Sequence, residues 1–350
     1  MFQPLAGSSS PNGLPRSQTV ALRLGDASRV GEARRLAMSF GARAELGEAE
    51  LGNLRIAVSE IAANTVNHGG GGEVLLRLVE WDRRAGVEAL FLDAGRGMAN
   101  VAECFRDGYS TAGTMGTGLG AARRLVHDFD VHSVPGAGTA VVLREWKGGT
   151  PTPGPQLTVG GVCLPVAGET ECGDAWAVLS SATRTLVLVA DGLGHGSSAA
   201  EASNLAVAIF RANASRSAAD ILGLLHLGLR PTRGAAVAIA EIDTARGELQ
   251  YAAIGNIAGR LLTASGTRAM VSHNGIVGHQ ARPAPAFTYP WTGDTTLVMH
   301  SDGLKNQWKP ETYPGILRRD PALFAGVLYR DCARERDDTT VIVCRQGAPE

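Results

Sequence analysis

Glu60-Ile-Ala-Ala-Asn64 decides how the first half of this 350-residue chain is read. Residues four apart on an α-helix share one face, about a turn from each other. Leu51, Leu54, Val58 and Ile61 supply an apolar stripe on the other side, so Glu60 and Asn64 face a cleft rather than a core. A carboxylate there can accept a proton from an attacking hydroxyl, and an amide oxygen can ligate Mg²⁺.

Working outward, two glycine-bearing stretches follow. Asp93-Ala-Gly95-Arg-Gly97 closes an apolar run; a buried carboxylate there can accept the exocyclic amine of adenine, and the glycines leave room for the purine. Gly116-Thr117-Gly118-Leu119-Gly120 opens a helix, where free backbone N–H groups attract phosphate. Alone, a helical ExxxN pair is usually a solvated face and a DxGxG run usually a turn. Together and in this order they read as a nucleotide site.

The surrounding pattern supplies the architecture. Residues 18–24 alternate as a strand, and Asp26 can cap a helix running to Phe40 with Val30, Ala33, Leu36 and Ala37 on one face. A helix over 47–68, strands over 73–81 and 87–93, a helix over 118–128 and strands over 130–133 and 139–145 complete a two-layer α/β sandwich spanning 18–146. Residues 1–17, rich in Ser, Pro and Gly, are expected to form a disordered tail, and the Pro/Gly-rich stretch 147–156 a linker. Strand-like runs then dominate, at 157–165, 174–180, 185–191, 235–243, 248–255, 258–262, 295–300 and 339–345. With helices over 197–213, 218–228 and 321–332, they predict a layered α-β-β-α sandwich over 157–346. The fold class is α/β (α+β), in two domains.

Asp174, Asp191, Asp302 and Asp337 stand at the ends of those strand-like runs, mostly beside glycine. Asp-Gly is a common turn dipeptide, yet four in matched contexts can converge on one rim. Carboxylate oxygens suit Mg²⁺ or Mn²⁺. Two such ions about 3.5–4 Å apart can share a water and drive in-line attack on a phosphoester. Asp338 is the ambiguous neighbour of Asp337. His195 is expected to be held by backbone bonds, with Glu169 and Glu171 on the surface.

The first half resembles the GHKL ATPase/kinase superfamily: an N-box at Glu60–Asn64, a G1 box at Asp93–Gly97, a G2 box at Gly116–Gly120 and a last box at Gly136-Ala-Gly-Thr139. Asp107-Gly-Tyr-Ser-Thr-Ala-Gly-Thr-Met-Gly116 resembles the serine/threonine switch kinases of bacterial partner switching, the stressosome (RsbT-like) type above all. That resemblance implies Glu60 as base, Asn64 on Mg²⁺, Asp93 on adenine and residues 109–120 as a lid over the phosphates of ATP. Those kinases usually carry a proline in the second glycine box, where this chain reads Thr117-Gly-Leu-Gly-Ala. The second half resembles PP2C phosphatases of the SpoIIE-like (RsbX-like) branch. Its match lies in Val189-Ala-Asp-Gly-Leu-Gly-His-Gly196, His300-Ser-Asp-Gly303 and Arg336-Asp-Asp-Thr-Thr-Val341, with Gly168-Glu-Thr-Glu-Cys-Gly-Asp174 before them. It implies that Asp191 bridges two Mn²⁺ or Mg²⁺ ions, that the Gly192 carbonyl adds a ligand, and that Asp174, Asp302 and Asp337 or Asp338 complete the shells.

A net charge of −1 and scattered Arg pairs argue against nucleic-acid binding. No apolar run approaches a membrane span, and five cysteines without a CxxC pair suit a reduced, cytoplasmic setting. The expected function is bifunctional: ATP-dependent phosphorylation of a STAS-domain antagonist or stressosome protein and its metal-dependent reversal, feeding a sigma-pathway or other signalling protein. The alternative is a phosphatase whose first half binds nucleotide and partner without catalysis.

Overall fold

Asp26 starts the first helix, as its position predicts. In the computed structural model, which describes residues 3–5, 19–81, 84–105, 118–151, 157–280 and 285–346, Asp26 Oδ1 accepts from the Ser28 N–H at 2.8 Å. The elements run β1 (Gln3–Leu5), β2 (Val20–Leu24), α1 (Ala27–Arg43), α2 (Glu48–Asn67), β3 (Gly72–Trp81), β4 (Arg84–Asp93), α3 (Val101–Cys104), α4 (Gly118–Leu125), β5 (Asp128–Ser133) and β6 (Thr139–Trp146). Next come β7 (Leu157–Leu164), β8 (Asp174–Ser180), β9 (Arg184–Gly192), α5 (Ser197–Ala212), α6 (Ala218–Gly228), β10 (Ala235–Asp243), β11 (Glu248–Ile254), β12 (Ala258–Thr263) and β13 (Gly266–Ala269). β14 (Phe287–Pro290), β15 (Thr296–His300), α7 (Pro321–Cys332) and β16 (Thr339–Gln346) complete the order.

One compact unit comprises Thr19–Thr152 together with Lys309–Val327. Its sheet is antiparallel, in the order β2-β3-β4-β6-β5. Side chains alternate across a strand, and β4 sends Val87, Ala89 and Phe91 into a core with Ala33, Ala37 and Phe40 of α1 and Leu54, Val58 and Ile61 of α2. The alternate residues Glu88, Leu90 and Leu92 are buried too. Residues 309–327 cover that second face: a Cβ on Gly326 would lie 2.6 Å from Leu90. Arg144 reaches Glu88 at 2.7 Å and Asp320 at 2.6 Å, and Arg77 reaches Glu88 at 2.6 Å. Burial alone would raise the Glu88 carboxyl, but Arg77 and Arg144 hold it below its ordinary value. Burial on both faces explains why β4 reads as a nearly continuous apolar run. The continuous span 157–346 read from sequence therefore lends one segment to the other unit. The expected linker begins bound to the first unit, with Lys147 on Glu45 at 2.5 Å and the Gly148 N–H on Glu50 at 2.7 Å; residues 152–156 lie outside the described residues.

The other unit is drawn from Met1–Gln18, Pro153–Trp308 and Leu328–Glu350. It holds two antiparallel sheets, β1-β8-β9-β10-β11-β14 and β13-β12-β15-β16-β7. Large side chains of the first sheet fill space left by glycines of the second. A Cβ on Gly161 would lie 3.2 Å from the Trp176 ring, and one on Gly259 would lie 2.8 Å from Tyr251. On the first sheet's outer side, Ala206, Phe210, Ile221 and Leu225 of α5 and α6 pack against Leu186, Leu188 and Ile239. This layered α+β arrangement is the predicted class.

Gln3–Leu5, inside the stretch expected to form a disordered tail, pairs with Ser180, Leu179 and Val178 of β8; an open sheet edge supplies backbone partners whatever the sequence. Residues 6–17 lie outside the described residues. Among the described residues no helix is long and apolar enough to cross a membrane.

Candidate functional site

α2 buries Leu54, Ala57, Val58, Ile61, Ala62 and Thr65, which leaves Glu60 and Asn64 half-buried on its open side. Gly118, the first residue of α4, stands against both. A Cβ there would lie 3.0 Å from Asn64 Nδ2 and 3.2 Å from Glu60 Oε2. Asn64 and Gly118, 54 positions apart in sequence, thus meet in one cleft. Asp93, the last residue of β4, is buried at 8% exposure. Its Oδ1 accepts from the Gly95 N–H at 2.9 Å and the Thr139 N–H at 3.2 Å, which fastens the first and last glycine motifs to one carboxylate. Thr139 Oγ1 and Ser133 Oγ share a bond of 2.9 Å. Gly97 turns at φ +66, a conformation that favours glycine. Leu119 packs on the core, and a Cβ on Gly120 would lie 2.6 Å from the Phe105 carbonyl oxygen. Gly116, Thr117 and the stretch 107–116 lie outside the described residues.

The four aspartates of the second unit also meet. Asp174 and Asp191 face each other in the β8–β9 register. Asp302 follows β15, Asp337 precedes β16, and the two strands are neighbours. Burial first, then the neighbouring carboxylates, push Asp191 up to about 9 and Asp174 up to about 7, and the hydrogen bond from Ser301 only partly offsets the rise at Asp174. Burial and Asp337 raise Asp302 as well. Among the described residues no three acidic, His or Cys side chains stand so that they could hold a metal ion as they are. Instead Asp174 Oδ2 accepts from Ser301 Oγ at 2.6 Å, and Asp302 Oδ2 from Asn256 Nδ2 at 2.6 Å. Crowded, desolvated, oxygen-only donors, whose raised carboxyls the charge of Arg334 on Asp302 only partly offsets, fit a divalent cation.

Asp338 differs from Asp337. Its Oδ1 accepts from the Val166 N–H at 2.7 Å and its Oδ2 from the Gly173 N–H at 2.8 Å. A Cβ on Gly173 would lie 2.6 Å from that Oδ2, so glycine is required for the approach. Gly192 ends β9, with its N–H donating to the Gly173 carbonyl at 3.0 Å.

Sequence reading gave no role to Asn256, which carries no spacing signal of its own, or to Ser301, which it quoted only as part of the Asp302 motif. His195 is corrected: its Nδ1 meets Glu169 Oε1 at 2.9 Å, so a carboxylate holds it and Glu169 is engaged.

The family described as a histidine kinase-like ATPase domain matches residues 25–145, and stage II sporulation protein E (SpoIIE) matches residues 181–346. Serine/threonine-protein kinase RsbT of Bacillus subtilis (strain 168) is 29% identical over 114 residues, covering 33% of this chain and 86% of its own. Phosphoserine phosphatase RsbX of the same organism is 25% identical over 138 residues, covering 39% and 69%. A solved structure from work on the bacterial stressosome as a modular system is 30% identical, with a TM-score of 0.52, covering 54% of this chain and 99% of its own. The crystal structure of RsbX in complex with magnesium shares the fold at 21% identity and a TM-score of 0.51, covering 55% and 96%.

Proposed function

We propose, from the premise that this chain joins a histidine kinase-like ATPase domain to a SpoIIE-type serine/threonine phosphatase domain of the PP2C kind, that it sets the phosphorylation of one partner protein from both directions. One pairing carries the reading: a cleft uniting Glu60, Asn64 and Gly118, and a rim of carboxylates that burial and mutual repulsion push up, within a single chain. The kinship with RsbT and RsbX makes a STAS-domain or other stressosome protein the substrate of choice, in a cytoplasmic partner-switching pathway.

In the kinase direction Glu60 takes the proton from the attacking Ser or Thr hydroxyl, whose oxygen bonds to the γ-phosphorus of ATP as ADP leaves. Asn64 would hold Mg²⁺, Asp93 would accept the adenine amine with Gly95, Gly97 and Thr139 beside it, and the free N–H groups at the start of α4, from Gly118 to Gly120, would attract the phosphates. In the phosphatase direction Asp174, Asp191, Asp302, Asp337 and the Gly192 carbonyl would hold two Mn²⁺ or Mg²⁺ ions. When bound, such ions lower the pKa of a shared water and offset phosphate charge. Asp337 is the better ligand of the doublet, because both Asp338 oxygens are taken by backbone donors. Asp338 positions Gly173 and, through it, Asp174.

Glu60→Ala tests the kinase assignment. The variant should bind a fluorescent ATP analogue about as well as the parent while transferring no phosphate to a STAS partner. Undiminished transfer would remove Glu60 from the chemistry. A parent chain that binds ATP yet labels no partner would make the first half a binding module.

A further inference from the structure

We propose that Arg233 seats the phosphate of the substrate beside the carboxylate rim, an inference that rests on the phosphatase reading of that rim. Arg233 lies in the connection between α6 and β10, and hydrogen bonds fix that connection on both sides. The Gly234 N–H donates to Thr232 Oγ1 at 3.0 Å, that hydroxyl donates to the Leu229 carbonyl at 2.7 Å, and His279 Nε2 meets the Thr232 carbonyl at 2.9 Å. The same connection is pinned to the Asp191-Gly192 turn. The Leu193 N–H donates to the Gly234 carbonyl at 3.1 Å, and Gly192 faces Ala235 in the β9–β10 register.

The guanidinium itself leans over that turn: Nη1 lies 3.4 Å from where a Cβ on Gly194 would stand. An exposed arginine is usually a solvated charge, but this one stands over Gly194, three positions after Asp191. Among the described residues no acidic group pairs with Arg233. Arg334 differs: its charge lowers Asp302, whereas its backbone N–H donates to the Gly303 carbonyl at 2.7 Å. A phosphomonoester brings more negative oxygens than the carboxylate rim can welcome, and a planar guanidinium offers paired donors that match them. Arg233 is exposed beside the half-exposed Leu193, so a phosphorylated side chain on a protein surface can reach it.

The test uses the full chain loaded with Mn²⁺. Inorganic phosphate is titrated by calorimetry, and hydrolysis of p-nitrophenyl phosphate is followed in parallel. Arg233→Ala should weaken phosphate binding and raise KM about tenfold. It should leave kcat within about threefold of the parent and Mn²⁺ affinity unchanged, and Arg233→Lys should recover part of the loss. If the parent binds phosphate but turns over no substrate, and binding still collapses in Arg233→Ala, the assignment stands while the phosphatase reading fails. Equal phosphate affinity in parent and Arg233→Ala would overturn it, as would no phosphate binding by the parent. A parallel loss of Mn²⁺ affinity would make the role structural and overturn it too, as would a KM effect that appears in Arg334→Ala instead.

Discussion

Asp191 concentrates the conflict between burial and charge. Burial first, and then Asp174, Asp302, Asp337 and Asp338, push its carboxyl up to about 9, with Asp174 at about 7. An unfolded aspartate titrates near pH 4, at about 3.9, so over the interval from there to about pH 9 the folded chain keeps protons that the unfolded chain releases. Stability contributed by these groups is therefore full at the acid end and lost as pH rises. Metal-free protein should melt at steadily lower temperature between about pH 5 and about pH 9, and Mn²⁺ should restore most at the alkaline end. Asp191→Asn should flatten the metal-free slope and shrink the Mn²⁺ gain. A metal-free melting temperature that climbs across this window in the parent would refute the upward shift of the Asp174 and Asp191 carboxyls. At this scale the sequence marks the aspartates by their strand-end positions but leaves the doublet Asp337-Asp338 undecided. The choice depends on the Val166 and Gly173 N–H groups, which lie more than 160 positions away.

Elements were legible where they carried their own period or cap. α1 begins at the Asp26 cap and α2 keeps the expected apolar stripe. The four-residue β13 and β14 and the single-turn α3 are too short to show a period, and pairing or local turns define them instead. Least visible was the cover on the second face of β4, because an ion network between residues 88, 144 and 320 has no local signature. Asp320 is 15% exposed and binds Arg144 through two oxygens, at 2.6 and 2.9 Å. Removing its charge leaves Arg144, in a buried setting, with Glu88, which it shares with Arg77, and the weaker field of Asp128. Asp320→Asn should cost roughly 3 kcal/mol, read by urea unfolding with the midpoint shifted and the slope unchanged. A shift below about 1 kcal/mol would mean that solvent replaces the pair.

For the whole molecule, sequence motifs indicate two chemistries, and the compact units give a different parcelling of the chain. Lys309–Val327, which falls between the Asp302 and Asp337 motifs in sequence, belongs with the ATPase-like unit. Motif order cannot reveal such a borrowing, since it is fixed by packing between distant segments. Opposed activities left uncoupled would only consume ATP, so control through partner binding is part of the proposal. The most direct measurement incubates the chain with STAS-domain partners encoded nearby, ATP and Mn²⁺, and follows partner phosphopeptides by mass spectrometry. Phosphate should accumulate with Asp191→Asn, stay absent with Glu60→Ala, and settle between the two in the parent. Labelling that survives Glu60→Ala, or that fails to rise with Asp191→Asn, would contradict a chain that both writes and erases one phosphate.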